Sequence, residues 1–406
     1  MISDKKIFEF CFQLYIGLIA SLGVISSTLI LPCFPVMGAD LGIGDQIGVW
    51  VMTTFLVGAA LGQFCWGPLS DTYGRRLPLY WGLSVLLIAS IGGFFAETAL
   101  QIGIVRFFQG MGAASGNTIA RAICRDRYQG TSFEKIIALM FTVIPLASGV
   151  SPFMGGIFQN LFGWRFCFLF LFSIVFILIL ATAFLLKSLP KLHQKISFRK
   201  IGEEYRLILS GSQNIWILLC IIGIFICHFS FLTAFPCLVQ QFFDLSSWVV
   251  SVLFVGFALG TFLGGFYQLN WGRKKPIEEN LSTCWKIIFL SIGGNLLFNF
   301  INGDSLIVYL ILMMFVGGCT AILNSVSCAF LLRRNSPEIA GALSSLIGVS
   351  QTLASAIGSF FASWTTTPLL SILLISLGVF LCFFSYRQIH WNKKEVFFEG
   401  EPAASS

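Results

Sequence analysis

Residues 57–78 read VGAALGQFCWGPLSDTYGRRLP, and residues 255–276 read VGFALGTFLGGFYQLNWGRKKP. The two stretches align without gaps and share ten of twenty-two positions, including the Gly and the Arg of the polar turn and the Pro that follows. Apolar helices match by chance through shared Gly, Ala and Phe, but this identity continues through a charged turn. The chain therefore contains an internal repeat with one copy in each half.

Long apolar segments surround both copies. The 406 residues are 56% apolar and only 11% charged, and the mean hydropathy is +0.87, whereas a soluble domain is about one-quarter charged. A helix needs about 20 residues to cross a bilayer. Twelve segments are long enough, and we place them near 8–31, 46–66, 79–97, 101–121, 136–160, 166–186, 215–239, 248–269, 285–302, 306–330, 340–364 and 368–389. The first is too long for a signal peptide and is expected to be retained as a span.

The positive charges show a strong bias along the chain. All 25 Lys and Arg except Arg106 and Arg165 lie at the termini or in every second loop. This distribution predicts that both termini and the loop after the second span are cytoplasmic. The net charge of +7 therefore reflects membrane topology rather than binding to nucleic acid, which is not an expected partner.

The repeat and the linker define the domain organisation. Because six spans, an even number, separate the two copies, both have the same orientation in the membrane, an architecture of transporters with a substrate site between the halves. The expected fold is an all-α membrane protein with twelve transmembrane helices in two parallel-repeat six-helix bundles. The expected boundaries are residues 1–187 for the first bundle, 188–214 for a cytoplasmic linker, 215–391 for the second bundle and 392–406 for a cytoplasmic tail. A weaker match pairs Gly110 with Gly317 and Asn117 with Asn324.

Several motifs together resemble one family. The loop GPLSDTYGRR, the stretch VRFFQGMGAASG in the fourth span and PLASGVSPFMGG in the fifth are similar to motifs of the major facilitator superfamily. With ARAICRDRYQG after the fourth span and LPCFP at the end of the first, the chain resembles the bicyclomycin and chloramphenicol resistance branch of the drug:proton antiporters. That resemblance implies multidrug efflux from the bacterial inner membrane by a multi-pass protein that acts as a monomer.

The polar loop has a physical interpretation of its own. Gly67 lacks a Cβ and could let a neighbouring helix approach, Gly74 can adopt the positive φ of a tight turn, and Asp71 can pair with a nearby arginine. The resemblance implies that the loop latches the two halves. Its candidate residues are Gly67, Asp71, Gly74, Arg75 and Arg76. Arg76 could equally be only a topology signal. Because Leu269 replaces Asp71 in the second copy, the latch should be one-sided.

Arg106 lies inside the fourth span, where a cation costs about 2.5–3.5 kcal/mol on insertion scales. Counting by turns places it on one helical face with Gly110, Ala113 and Asn117, so the cation and the amide could point together into a cavity, although Arg106 could also snorkel to the outer interface. Bending of the fifth span is expected at Gly149, Pro152, Gly155 and Gly156.

No Asp or Glu lies clearly inside a span. Relatives carry an acid four residues before the first Pro of LPxxP, where this chain has Thr28, and a buried carboxylate is the usual means of proton coupling. His228 could carry protons or form a structural hydrogen bond. The other candidate cavity residues, besides Arg106, Asn117, Thr28 and His228, are Gln63, Asn324 and Gln351, which suit a neutral or anionic solute.

The sequence thus predicts a secondary transporter for proton-linked efflux of a small neutral, zwitterionic or anionic compound. The alternatives are an uncoupled facilitator, a nutrient importer, or a membrane sensor that binds a ligand without transporting it. An enzyme is not expected, because no nucleophile and base set, phosphate loop or metal-ligand cluster is present in the sequence. The expected partners are the small-molecule substrate, protons and the lipid bilayer, with no cofactor and no metal.

Overall fold

A computed structural model describes residues 2–128, 130–186, 198–241, 243–272, 275, 277–302, 305–335, 340–362 and 368–389. Within these ranges twelve helices have 19 residues or more, and none of the residues forms a β-strand. The long helices are α1 (Ile2–Thr28), α3 (Ile47–Tyr73), α4 (Arg76–Phe94), α5 (Ala99–Arg127), α6 (Gly130–Phe162), α7 (Arg165–Leu185), α9 (Ser212–Gln241), α10 (Ser247–Asn270), α11 (Ile277–Asn302), α12 (Leu306–Arg334), α13 (Ala340–Ala362) and α14 (Pro368–Gln388). The shorter helices are α2 (Phe34–Asp40) and α8 (Phe198–Ser210), with 3-10 turns at Leu31–Cys33 and Gly44–Gln46.

These helices confirm the all-α membrane fold. Ten of the candidate spans are apolar and long enough to cross a bilayer when only the described residues are considered. Helix α5, which carries Arg106, Arg121 and the charged residues 125–127, is not among them; α6, several of whose side chains lie outside the described set, is also not among them. The predicted spans match the helices to within several residues, and α6 starts at Gly130 rather than at residue 136.

The helices pack as two bundles with a shared interface. In the first half α3 packs on α5, α4 on α5 and α7, and α1 on α5 and α6; in the second half α9 packs on α13 and α14, and α10 on α12. The halves meet where α3 packs on α13 and α6 packs on α10. The predicted linker falls on α8 and on residues outside the described ranges, and the predicted tail at 392–406 lies wholly outside them.

Equivalent glycines position equivalent helices in the two halves. A Cβ placed on Gly62 would lie 2.5 Å from the carbonyl oxygen of Met111 on α5, and a Cβ placed on Gly260, its repeat partner, would lie 2.5 Å from the carbonyl oxygen of Met314 on α12. Such distances leave room only for hydrogen, so the absence of a side chain allows the helix backbones to touch. The repeat in the sequence is thus a repeat in helix packing.

Local signals determine where the helices of the first half begin and end. Helix α5 starts with a capping box, in which Thr98 Oγ1 accepts from Gln101 N at 3.2 Å and Gln101 Oε1 accepts from Thr98 N at 3.1 Å. This reciprocal pair satisfies backbone N–H groups that a helix start leaves free. Gly74, with φ of 79°, follows α3, and Gly163, with φ of 85°, follows α6, because a left-handed residue ends a helix with least strain when it is glycine.

Candidate functional site

The turn between α3 and α4 is organised around the guanidinium of Arg75. The side chain is 7% exposed, its Nε donates to Asp126 Oδ2 at 2.6 Å, and its Nη1 donates to Ser70 Oγ at 2.8 Å and to Asp71. Burial alone would lower the pKa of Arg75, but the hydrogen bonds from Asp126 and Asp71 outweigh it and raise the pKa. Arg75 therefore stays charged and joins the end of α3 to the end of α5.

Arg76 occupies a different environment from Arg75. It is exposed, and its guanidinium lies 5.6 Å from the ring centroid of Tyr80, a contact worth little at an exposed site. No ion pair to Arg76 occurs among the described residues. Both adjacent arginines belong to the motif, but Arg75 is a buried connector between helices whereas Arg76 is a cation on the surface.

The second copy of the turn uses neutral groups instead. Asn280 Nδ2 on α11 donates to Gln268 Oε1 at 2.7 Å and to the carbonyl oxygen of Gly272 at 3.3 Å. Gln268 stands at the repeat position of Ser70, and Leu269 at that of Asp71. Arg273 lies outside the described residues. The acidic turn of the first half therefore has an amide counterpart in the second.

The close helix approach predicted at Gly67 is wrong, whereas the positive φ predicted for Gly74 is confirmed; their part in a latch remains a prediction. A Cβ on Gly67 would meet only Thr118 Cγ2, at 4.0 Å, which is ordinary van der Waals contact, so no helix approaches closely there. The close approaches to α5 occur at Gly58 and Gly62 on the same helix. The described contacts of Asp71 and Arg75 all lie within the first half, and the latch between halves remains a prediction.

Arg106 is enclosed within the first bundle. It is 1% exposed, and its Nη1 donates to the carbonyl oxygen of Ser26 at 2.8 Å and to Gln109 Oε1 at 2.9 Å. Its guanidinium carbon lies 4.3 Å from the ring centroid of Phe55. Nη2 has no hydrogen-bond partner among the described residues, and none of its described partners is a carboxylate. Arg106 therefore does not snorkel, and neutral dipoles and an aromatic face stabilise its charge.

The predicted pairing of Arg106 with Asn117 is also wrong. The helical face between them packs against α3, because a Cβ on Gly110 would lie 1.9 Å from the carbonyl oxygen of Phe55. The two residues are about 16 Å apart along the helix at 1.5 Å per residue. Asn117 Oδ1 instead accepts from Arg121 Nε at 3.1 Å.

Thr28 contacts the fifth span at the position where relatives carry an acid. Its Oγ1 donates to the carbonyl oxygen of Val24 at 2.8 Å and lies 2.5 Å from Ser151 Oγ; both side chains are buried. A pair of hydroxyls thus links α1 to α6 where a carboxylate would be expected to carry a proton. Ser151 was not a sequence candidate, although it directly precedes Pro152 in the Pro-Gly stretch.

The glycines of α6 serve close packing. A Cβ on Gly155 would lie 1.8 Å from the carbonyl oxygen of Leu29, and a Cβ on Gly149 would lie 2.8 Å from Ala258 Cβ on α10. Pro152 and Gly156 are buried in the same helix, which runs without interruption from Gly130 to Phe162. The bend predicted at these residues remains a prediction.

Polar side chains from both halves converge between α5, α12 and α13. Gln351 Nε2 donates to Asn324 Oδ1 at 3.1 Å, and Cys328 Sγ lies 3.5 Å from the same oxygen. Arg121, on α5, is close enough to Cys328 for an electrostatic interaction. Of the predicted cavity residues, Asn324 and Gln351 are therefore in direct contact, and Asn117 is connected to them through Arg121 and its electrostatic interaction with Cys328. Gln63 lies against Gly348 of α13, and its Oε1 has no partner among the described residues.

His228 lies apart from that cluster, within the second bundle. Its ring centroid is 5.3 Å from that of Phe257 and 5.7 Å from that of Phe229. It borders a small cavity of about 10 Å³ lined by Phe231, Met313 and Thr320 among others. The described residues offer the imidazole aromatic contacts rather than the structural hydrogen bond, which was the favoured prediction for His228 over a proton carrier.

The described carboxylates of the twelve long helices lie near the helix ends. Glu9, near the start of α1, accepts from Arg127 Nη2 at 2.9 Å and from Tyr128 Oη. At the opposite end of the bundle Asp40 Oδ2 accepts from Trp164 Nε1 at 2.8 Å. Sequence analysis missed Asp126 and Arg121 as site residues because both were assigned to a loop, whereas α5 continues to Arg127.

Contacts between the halves also close the end opposite the α3–α4 turn. Gln240 Nε2, near the end of α9, donates to the carbonyl oxygen of Pro32 at 3.3 Å. The ring centroids of Phe153 on α6 and Trp248 on α10 are 5.3 Å apart.

Comparison with known proteins gives one consistent result. The profile of the Major Facilitator Superfamily matches residues 16–359. The chain is 24% identical over 85% of its length to Multidrug resistance protein D of Escherichia coli (86% of that protein), and 27% identical over 89% of its length to a bicyclomycin resistance protein homolog of Haemophilus influenzae (92% of that protein). The crystal structure of a D-xylose-proton symporter superposes with a TM-score of 0.73 at 15% identity, covering 96% of this chain and all of the other.

Proposed function

This chain belongs to the major facilitator superfamily, and from that premise we propose that it is a secondary active transporter. We propose that it exports a small neutral, zwitterionic or anionic compound, which is a drug or a metabolite. The export is linked to protons and occurs by alternating access. The chain is a multi-pass membrane transporter and not an enzyme. Relatives named for multidrug and bicyclomycin resistance support efflux as the direction. The charge bias supports a cytoplasmic location for the α3–α4 turn and both termini, in a bacterial inner membrane.

The observation that carries the proposal is the sign of the charges inside the helices. Arg106 and Arg121 lie within α5 and contact amides, carbonyls and an aromatic ring. The described carboxylates of the twelve long helices lie near helix ends, and the ion pairs described for Glu9, Asp40, Asp71 and Asp126 involve Arg75, Arg125, Arg127 and Arg165. A helical interior that carries positive charge repels cations and favours neutral or negative solutes.

The interface between the halves supports alternating access. The contacts of α3 with α13 and of α6 with α10 join two bundles that are each internally fixed by glycine-mediated packing. Rocking of one bundle against the other would expose a site between them to each side in turn. The Arg75 connector holds α3, α4 and α5 together as one body during such a motion.

In relatives, proton coupling is expected to use the acid at the position of Thr28 in the first span. Because this chain has no acid there, proton coupling must use a different group. His228 is the one His inside a described helix and is the side-chain type that ordinarily changes charge near neutral pH. In proteoliposomes containing the purified protein, we expect an imposed ΔpH to drive accumulation of a transported dye or antibiotic, and a protonophore to abolish it. Flux of the same solute that is indifferent to ΔpH would remove the coupling from the proposal.

An uncoupled facilitator or an importer is the second candidate, and the hydroxyl pair of Thr28 and Ser151 favours it. Thr28→Asp would place a carboxylate in the pocket where Thr28 now meets Ser151, two residues from the carbonyl that binds Arg106. We expect this variant to make flux depend more strongly on ΔpH than the wild type does. The matched control is Thr28→Asn, which has the same shape without the charge. Equal pH dependence in all three proteins would show that Thr28 does not occupy a lost coupling site.

A further inference from the structure

We propose that Arg121, Asn117, Asn324 and Gln351 form a binding site for an organic carboxylate between the two halves. The proposal rests on the proposed transport function and names the substrate class that this function acts on. It adds a recognition residue, Arg121, to the cavity that the sequence suggested.

The first half contributes a guanidinium with free donors. Arg121 Nε donates to Asn117 Oδ1 at 3.1 Å, and this is the only hydrogen bond that the guanidinium makes to the described residues. Nη1 and Nη2, the two groups that form the planar fork of an arginine, therefore have no hydrogen-bond partner among those residues. Such a fork matches the two oxygens of a carboxylate and binds them in parallel.

The second half faces this fork with neutral amides. Asn324 and Gln351 are joined through Gln351 Nε2 and Asn324 Oδ1 at 3.1 Å, and Cys328 lies beside them at the distance where Arg121 acts on it electrostatically. The bond to Gln351 uses the oxygen of Asn324, so its Nδ2 is available to donate to a ligand. Asn117 and Asn324 occupy matching positions in the repeat, and their amides thus approach the cleft from both halves.

No carboxylate of the protein neutralises Arg121 among the residues described. The acid nearest to it on α5 is Asp126, five residues later, and Asp126 is already bound to Arg75 at 2.6 Å. The described ion pairs include none with Arg121. Among the described residues, this half-buried cation meets amides and a thiol but no negative charge. A carboxylate on the solute supplies the missing counter-charge.

The position of the cluster suits a transported ligand. Arg121 and Asn117 lie on α5 of one bundle, whereas Asn324 and Gln351 lie on α12 and α13 of the other, so that movement of the bundles changes the distance between Arg121 and the amide pair. A ligand held by both halves in one state is released when they separate. By contrast, all described hydrogen bonds of Arg106 lie within its own bundle. Arg106 therefore stabilises the structure of that bundle.

The test compares two probes of equal shape and different charge, naphthalene-2-carboxylate and naphthalene-2-carboxamide. Binding to the purified full-length protein in detergent is measured by isothermal titration calorimetry at constant ionic strength. We expect the wild type to bind the carboxylate more tightly than the carboxamide. Arg121→Gln should weaken the carboxylate roughly tenfold or more, as expected for loss of a charge-assisted pair, and leave the carboxamide unchanged. Arg121→Lys, which keeps the charge and loses the fork, should lie between them.

The matched control is Arg125→Gln. Arg125 lies one turn further along α5, with 58% of its side chain exposed, and its loss should not change the binding of either probe. Equal binding of both probes by the wild type, no carboxylate binding, or an equal loss in Arg121→Gln and Arg125→Gln would overturn the site. Arg121-dependent binding of the carboxylate without any flux in proteoliposomes would instead refute the transport function and leave the site standing.

Discussion

Replacing Gly58 by alanine is expected to destabilise the protein, whereas the same change at Gly67 is expected to be neutral or stabilising. A Cβ on Gly58 would lie 2.0 Å from the carbonyl oxygen of Phe107 and 2.8 Å from its carbonyl carbon. Both atoms belong to the backbone of α5, so a rotamer change cannot relieve the clash and the two helices must separate. Overpacking of this kind costs about 1–3 kcal/mol, and occasionally more.

Gly67 is the matched control on the same helix. Its Cβ would have only Thr118 Cγ2 at 4.0 Å as a neighbour, and alanine is favoured over glycine inside a helix by about 1 kcal/mol. The two substitutions should change the stability in opposite directions. This is measured as the thermal unfolding midpoint of each purified variant in detergent, compared with that of the wild type. A lower midpoint for Gly67→Ala than for Gly58→Ala would contradict this assignment and return the packing role to the motif glycine.

Loss of the buried arginine of the α3–α4 turn is expected to have the second large effect. Arg75→Gln would leave Asp126, whose side chain is 13% exposed, with the exposed Arg125, 4.0 Å away, as the nearest cation among the described ion pairs. Breaking one partner of a buried pair costs about 3–5 kcal/mol. We expect a lower unfolding midpoint and roughly tenfold or greater loss of flux in proteoliposomes, because α3, α4 and α5 no longer move as one body.

Two further variants separate this contact from a general effect of charge. Arg76→Gln removes an adjacent but exposed cation and should change the unfolding midpoint little. The double variant of Arg75→Gln with Asp126→Asn leaves no uncompensated carboxylate at that position and should recover part of the stability. If Arg76→Gln is as damaging as Arg75→Gln, or if the double variant unfolds below both single ones, the pair does not have the role described.

The turn shows how far a motif can be read from one chain. The repeat predicts that Arg75 matters more than Arg76, because position 273 keeps an arginine while position 274 has a lysine, and their burial agrees. It does not predict Asp126 as the partner, because 51 residues separate the two. The neutral pair of Gln268 and Asn280 could not be predicted either, since a Leu in place of Asp71 indicates only that an acid is missing.

The region around the first and fourth spans shows a similar division. The absence of an acid at Thr28 is visible in the sequence, and so is the cation at Arg106. That Thr28 meets Ser151, and that Arg106 points into α1 and α3 rather than toward Asn117, depends on the rotation of each helix about its axis. A period of 3.6 residues gives the relative positions on one helix, but not which neighbour each face meets.

The sequence by itself determined the twelve long helices, the repeat and the family, because hydrophobic length and motif spacing are properties of one continuous segment. It determined which charges are unusual, because a charge inside an apolar stretch is conspicuous. The tertiary structure alone decided which charges have partners on other helices: Arg75 with Asp126, and Arg106 with the carbonyl oxygens of Ser26 and Val51. The physical reason is that these contacts join helices far apart in the chain, and their geometry follows from how close glycines allow the backbones to approach.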